Sequence, residues 1–182
     1  LYMEYPGAMS VFCDGRTYRD TVAMERFARR NARRGSTEAR QPNDGRFTVV
    51  RDLTEWMSRH AHEVEKFCMF FDTAEQAQAA LPRFRALAGA EVVQGSPDNI
   101  ELTAQGVDKG TALLALADLL HIPREATVAV GDSENDRAML ERAGIAAVMA
   151  NGMPHIQALA DLVSTNDCDH DGVAEVFERL GL

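Results

Sequence analysis

Apolar residues recur in two rhythms along the 182-residue chain, one over about the first hundred positions and another over the rest. Residues 9–18 alternate around Asp14-Gly15, a pair suited to a tight turn, which predicts a β-hairpin. Val22, Met24, Phe27 and Ala28 fall at helical spacing among arginines and predict a helix over 20–33. Residues 34–46 are rich in Gly, Pro, Asn and Asp and predict a loop. A short strand over 47–50, a helix over 52–60 and a buried strand over 65–71 follow. A helical pattern spans 73–88, where Pro82 predicts an interruption. Strands at 91–94 and 99–103, joined by the turn Gly95-Ser96-Pro97-Asp98, complete a mixed α/β unit whose connections look mostly hairpin-like.

After about residue 104 strands and helices alternate. Apolar residues at 113, 116, 117 and 120 predict a helix over 111–121, closed by Pro123. Strands are expected at 127–130, 145–149 and Leu162–Val163, and helices at 134–143, 154–160 and Gly172–Leu180. This alternation predicts a parallel sheet covered on both faces. The pattern thus divides the chain into two domains, 1–103 and 104–182.

Composition narrows the function classes. Hydrophobic residues make up 46% and charged residues 26%, enough apolar material for a folded core. The net charge is -9, which disfavours general binding to nucleic acid or to anionic membranes, since both need clustered cations. It leaves room for a small phosphorylated ligand held by one local cationic pocket. No apolar run approaches the ~18 residues of a membrane helix. Cys13, Cys68 and Cys168 lie far apart without metal or redox spacing, as expected of thiols in the cytoplasm. Among 19 basic residues only Lys66 and Lys109 are lysines. The run Arg26, Arg29, Arg30, Arg33 and Arg34 reads as a solvated helix face.

The stretch 128–140, VAVGDSENDRAML, carries the clearest chemistry. An apolar strand ends in Gly131, five polar residues follow, and an amphipathic helix begins. Ligands of open parallel sheets bind beyond the carboxyl ends of strands, where Asp132, Ser133, Glu134, Asn135 and Asp136 fall. Asp132 and Asp136 are hard oxygen donors suited to Mg²⁺. Ser133 and Asp136 also have capping-box spacing, so the same letters serve a strand-to-helix turn. Lys109, in Gly106-Val107-Asp108-Lys109-Gly110, stands at a helix start, where the helix dipole opposes a cation. A bound phosphate would account for it, and a solvated loop lysine is the plainer alternative.

GVDKGTAL, then VAVGDSENDRAMLERAG, VMANGMP and DHDGVAEVFERL, resemble in order and spacing the C-terminal half of Cof-type phosphatases of the haloacid dehalogenase superfamily. The resemblance is specific over about 98–182 and rests on pattern and position over 1–97. It implies the C-terminal half of a Rossmann-like parallel-sheet core preceded by an α/β cap domain. It also implies a Mg²⁺-dependent hydrolase of small phosphorylated metabolites such as sugar phosphates. Lys109 then neutralises the transferring phosphoryl group, and Asp132 binds Mg²⁺. Asp136 supports the metal site through water or from behind, and Asn135 contacts phosphate. Asn151 matches a glycine-asparagine turn near the site.

The family's nucleophile motif, Asp-x-Asp-Gly-Thr, and its phosphate-holding Ser or Thr are expected before the cap. The chain opens at Leu1 with its first methionine at Met3, which together with the motifs favours a fragment. Phe12-Cys13-Asp14-Gly15-Arg16 puts phenylalanine at the nucleophile position, so Asp14-Gly15 is expected to be a turn. The resulting expectations are inactivity alone and a tendency to associate through an unpaired strand edge. A non-catalytic phosphate or metabolite binder and a phosphomutase are the alternatives.

Overall fold

The computed structural model describes residues 1–33 and 47–182. The expected loop at 34–46, with Arg34, lies outside the described residues. The chain forms two compact units, Leu1–Gln105 and Gly106–Leu182.

In the first unit β1 (Ala8–Cys13) and β2 (Arg16–Asp20) form the expected hairpin. Asp14 and Gly15 both have positive φ, 49° and 66°, the paired left-handed conformation of a two-residue turn. Next come α1 (Thr21–Arg33), β3 (Thr48–Val50), α2 (Leu53–His60), β4 (Val64–Phe70), α3 (Ala74–Arg85), β5 (Ala90–Val93) and β6 (Asn99–Ala104). The sheet order is β3-β2-β1-β4-β6-β5, antiparallel except for β2 with β3. Met9, Val11, Leu53, Met69, Phe71, Leu81, Phe84 and Ile100 make the core between the sheet and helices α2 and α3.

Pro82 does not break α3. It sits in the last turn, and the carbonyl it leaves without a partner, that of Gln78, belongs to an exposed residue that water can reach. Arg29 and Arg33 are exposed, as a solvated face requires, whereas Arg26 and Arg30 depart from that expectation. Arg26 donates to the carbonyls of Tyr5 and Gly7 (3.1 and 2.6 Å), and Arg30 to the Phe71 carbonyl (3.2 Å) and the Asp98 carboxylate (2.5 Å). Arg33 pairs with Asp72. These side chains tie α1 to the ends of the strands. The single tryptophan, Trp56, stacks between Tyr18 at 4.2 Å and His60 at 4.4 Å.

The second unit contains α4 (Lys109–Leu119), β7 (Val128–Gly131), α5 (Arg137–Arg142), β8 (Ile145–Val148), α6 (Pro154–Gln157), β9 (Leu162–Val163) and α7 (Gly172–Leu180). β7, β8 and β9 form the expected parallel sheet, with β8 in the middle. Alternation along β8 divides its burial between two faces. Ala146 and Val148 pack with Leu113, Leu140 and Ile156, whereas Ala147 packs with Met149 and Val176. Helices therefore cover both faces, as a parallel sheet requires. Among the described residues no helix is long and apolar enough to cross a membrane.

Glu175 in α7 accepts from the backbone N–H groups of Thr165 and Asn166 at 2.8–2.9 Å. These bonds, with Arg179 behind them, push its carboxyl down to about 2. The folded value is depressed, so its stabilisation is complete above an ordinary glutamate value of about 4.3 and disappears as pH falls toward 2. Glu175→Gln is expected to lower the melting temperature at pH 7. The gap to the parent should narrow as pH falls below about 4.3 in thermal scans and vanish only below about pH 2; a gap constant with pH would contradict this.

Candidate active site

The second unit brings Lys109, Asp132, Ser133, Asn135 and Asp136 together at the carboxyl end of β7. Lys109 is the first residue of α4 because Asp108 caps that helix. The Asp108 carboxylate accepts from Thr111 N–H at 2.6 Å, and the Thr111 hydroxyl accepts from Asp108 N–H at 3.0 Å. The helix thus starts two residues earlier than its apolar spacing suggests. Asp-x-x-Thr at 108–111 is the signal that the apolar pattern overlooked.

Asp136 is the hub. Its Oδ1 accepts from Lys109 Nζ at 2.6 Å. Its Oδ2 accepts from the backbone N–H groups of Asp132 (2.9 Å) and Ser133 (3.2 Å), with the Ser133 hydroxyl at 3.5 Å. The bond from Ser133 N–H is one arm of the anticipated Ser133–Asp136 capping box, whose other arm runs from Asp136 N–H to the Ser133 hydroxyl oxygen. Burial works against the charged carboxyl, but the lysine and the two N–H groups outweigh it and hold it below the usual aspartate range. The carboxylate of Asp136 is buried and both oxygens are engaged inside the protein.

Asp132 differs. It is half-buried, and its carboxylate accepts no hydrogen bond among the described residues. Its main chain is fixed at both ends, by the Asp136 carboxylate and by Met153 N–H donating to the Asp132 carbonyl at 2.9 Å. Asn135 accepts from the Ser133 hydroxyl at 2.8 Å through Oδ1. Its amide NH₂ makes no bond among the described residues. Glu134 turns aside to Arg137 (2.8 Å) and His155 (2.7 Å). Asn151 is not drawn into this cluster. Its side chain bridges to Cys168, accepting from its N–H at 3.0 Å and donating to its sulfur at 3.4 Å. The neighbouring Gly152-Met153 backbone is what reaches Asp132.

No group of three or more His, Cys, Asp or Glu side chains among the described residues is disposed to hold a metal. Mg²⁺ favours one or two carboxylates completed by phosphate and water, so the unengaged Asp132 carboxylate fits as one donor. Two positions mimic the nucleophile motif in letters. One is the Asp14-Gly15 turn. The other, Asp169-His170-Asp171-Gly172, is closer in letters, and as a polar run just before a predicted helix it reads as a turn. It is indeed the turn before α7, with Asp171 in the left-handed region rather than at a strand end.

The family described as haloacid dehalogenase-like hydrolase matches residues 10–177. Phosphatase YwpJ of Bacillus subtilis (strain 168) is 39% identical over 106 residues, 58% of this chain and 37% of that protein. From the same organism, 5-amino-6-(5-phospho-D-ribitylamino)uracil phosphatase YcsE is 32% identical over 118 residues, 65% and 47% of the two chains. The solved structure of a haloacid dehalogenase-like hydrolase from B. subtilis superposes with a TM-score of 0.73 at 28% identity, covering 96% of this chain and 65% of that one. The chain spans less than half the length of these two curated relatives.

Proposed function

Starting from the chain's membership of the haloacid dehalogenase-like hydrolase family, in its Cof-type branch, we propose that Gly106–Leu182 supplies the lysine and aspartate side of a phosphomonoester hydrolase site. We propose equally that Leu1–Gln105 is the cap of that enzyme, and that the substrate is a small phosphorylated metabolite. The carrying observation is the Lys109–Asp136 bond together with the Asp136 bonds to the Asp132 and Ser133 amides. One buried carboxylate thereby ties a cation to the strand-end backbone that carries the unengaged carboxylate of Asp132.

The chemistry follows from charge. Attack of a carboxylate on a phosphate dianion brings like charges together, so the site must supply positive charge where the transferring phosphoryl group sits. Lys109, half-exposed and oriented by Asp136, supplies it. Asn135 NH₂ donates to a phosphate oxygen. Asp132 would hold Mg²⁺, which when bound adds charge neutralisation to the phosphoryl oxygens. Asp136, both oxygens engaged, acts from behind: it orients Lys109 and the Asp132 backbone and does not contact the metal. The three unpaired cysteines suit a reducing compartment, and we place the protein in the cytoplasm.

Inorganic phosphate with Mg²⁺ is expected to shift the backbone amide signals of Lys109, Asp132 and Asn135 in NMR spectra of the 182-residue protein. Lys109→Ala should abolish the response. Shifts that spare these residues would refute the assignment. The 182 residues contain no Asp-x-Asp-Gly-Thr, so no hydrolysis of p-nitrophenyl phosphate is expected from them alone. Turnover that disappears in Lys109→Ala would overturn that statement.

A further inference from the structure

Three consecutive residues at the start of α4 each meet a different point of the α5 segment. Lys109 donates to Asp136, just before α5 begins. Gly110 lies against the Ala138 carbonyl oxygen, so close that a Cβ would fall on it. Asp108 is gripped at the far end of α5 by both prongs of the Arg142 guanidinium, each nitrogen 3.2 Å from one carboxylate oxygen. The end of α5 is itself fixed, because Arg124 donates to the Arg142 carbonyl (2.6 Å) and the Ala143 carbonyl (3.3 Å). α5 has six residues, a strut about 9 Å long.

We propose that Arg142 is a positioning residue whose grip on Asp108 sets the rotation of the first turn of α4 and thereby aims the Lys109 ammonium at Asp136. The reasoning is geometric, since a partly exposed ion pair adds little stability. A two-pronged guanidinium–carboxylate pair fixes direction as well as distance. Without Arg142, Asp108 still caps α4 through Thr111, so the helix persists but its orientation against α5 is held at fewer points. Lys109 is half-exposed, and once misaligned its ammonium turns to water. The functional meaning of this device rests on the proposed role of Lys109 at the phosphoryl group; its test does not.

The chain has two lysines, so amine labelling has an internal reference. Lys66 lies in the other unit, paired with Glu101 at 2.7 Å. The 182-residue protein is treated briefly with an acylating reagent at neutral pH, and the two lysine peptides are quantified by mass spectrometry. Arg142→Gln is expected to raise the Lys109:Lys66 rate ratio about threefold, within the range set by a partly exposed pair. Asp108→Asn, whose amide oxygen still caps α4, should do the same, and the double variant should add nothing further. Arg142→Lys, with one point of contact, should fall between. An unchanged ratio, an equal rise at both lysines, or effects that multiply in the double variant would overturn the proposal. If Arg142→Gln fails to fold, the Asp108→Asn ratio decides alone. A raised ratio without any phosphate response would leave the positioning role standing and remove the proposed function.

Discussion

Asp136→Ala is expected to lower the unfolding free energy of the second unit by about 2–4 kcal/mol in urea titrations followed by circular dichroism. Two backbone N–H groups lose a charged acceptor in a buried position, and each such loss costs about 1–3 kcal/mol. The full cost of stranding a buried charge does not apply, since the Lys109 side chain is 49% exposed and rehydrates. Asp136→Asn keeps an oxygen for the two N–H groups and should lose about half as much. A loss below about 1 kcal/mol for the alanine variant would show that Asp136 is not the hub described above.

The second large effect has a sign opposite to helix propensity. Gly110 lies in the first turn of α4, where alanine would ordinarily stabilise a helix by up to about 1 kcal/mol. Here the added methyl would meet the carbonyl of Ala138 and the Arg142 side chain. A backbone carbonyl cannot swing away as a side chain does, and overpacking of this kind costs about 1–3 kcal/mol. Gly110→Ala is therefore expected to destabilise by about 2 kcal/mol net, measured in the same titrations. Equal or higher stability would mean that α4 and α5 approach less closely than described.

Local order was legible where a local cause sets it. The Asp14-Gly15 turn, β9 and α7 fall where turn residues and periodicity place them, because each is decided by a few neighbouring side chains. Strand order was not legible. β1 pairs with β4, whose partner residues lie 51 to 62 positions on, and β4 then pairs with β6, which no window of neighbours encodes. The anticipated helix at 134–143 is a 3₁₀ turn followed by a six-residue helix, since Asp136 bends its carboxylate back onto the amides of Asp132 and Ser133. Arg26 and Arg30 looked like part of a solvated stripe because their acceptors are backbone carbonyls, which no letter marks, and, for Arg30, a carboxylate sixty-eight positions away.

The candidate site divides the same way. Asp132, Asn135 and Asp136 were visible as an unusual concentration of polar residues at a strand end and Lys109 as a cation at a helix start, and the Lys109–Asp136 bond joins the two. Their division of labour was not. Two aspartates four apart look equivalent as letters, yet one is buried with both oxygens engaged and the other stands open. Arg142 left no trace near Asp108 because thirty-four positions separate them.

The lone indole gives this molecule a built-in asymmetry of observation. Trp56 lies in Leu1–Gln105, sandwiched between a phenol and an imidazole, and Gly106–Leu182 contains no tryptophan. Its ultraviolet emission therefore follows the melting of one half of the chain while the other half stays dark. Setting that optical trace beside the ellipticity, to which both halves contribute, counts the cooperative transitions without a dye or a mutation.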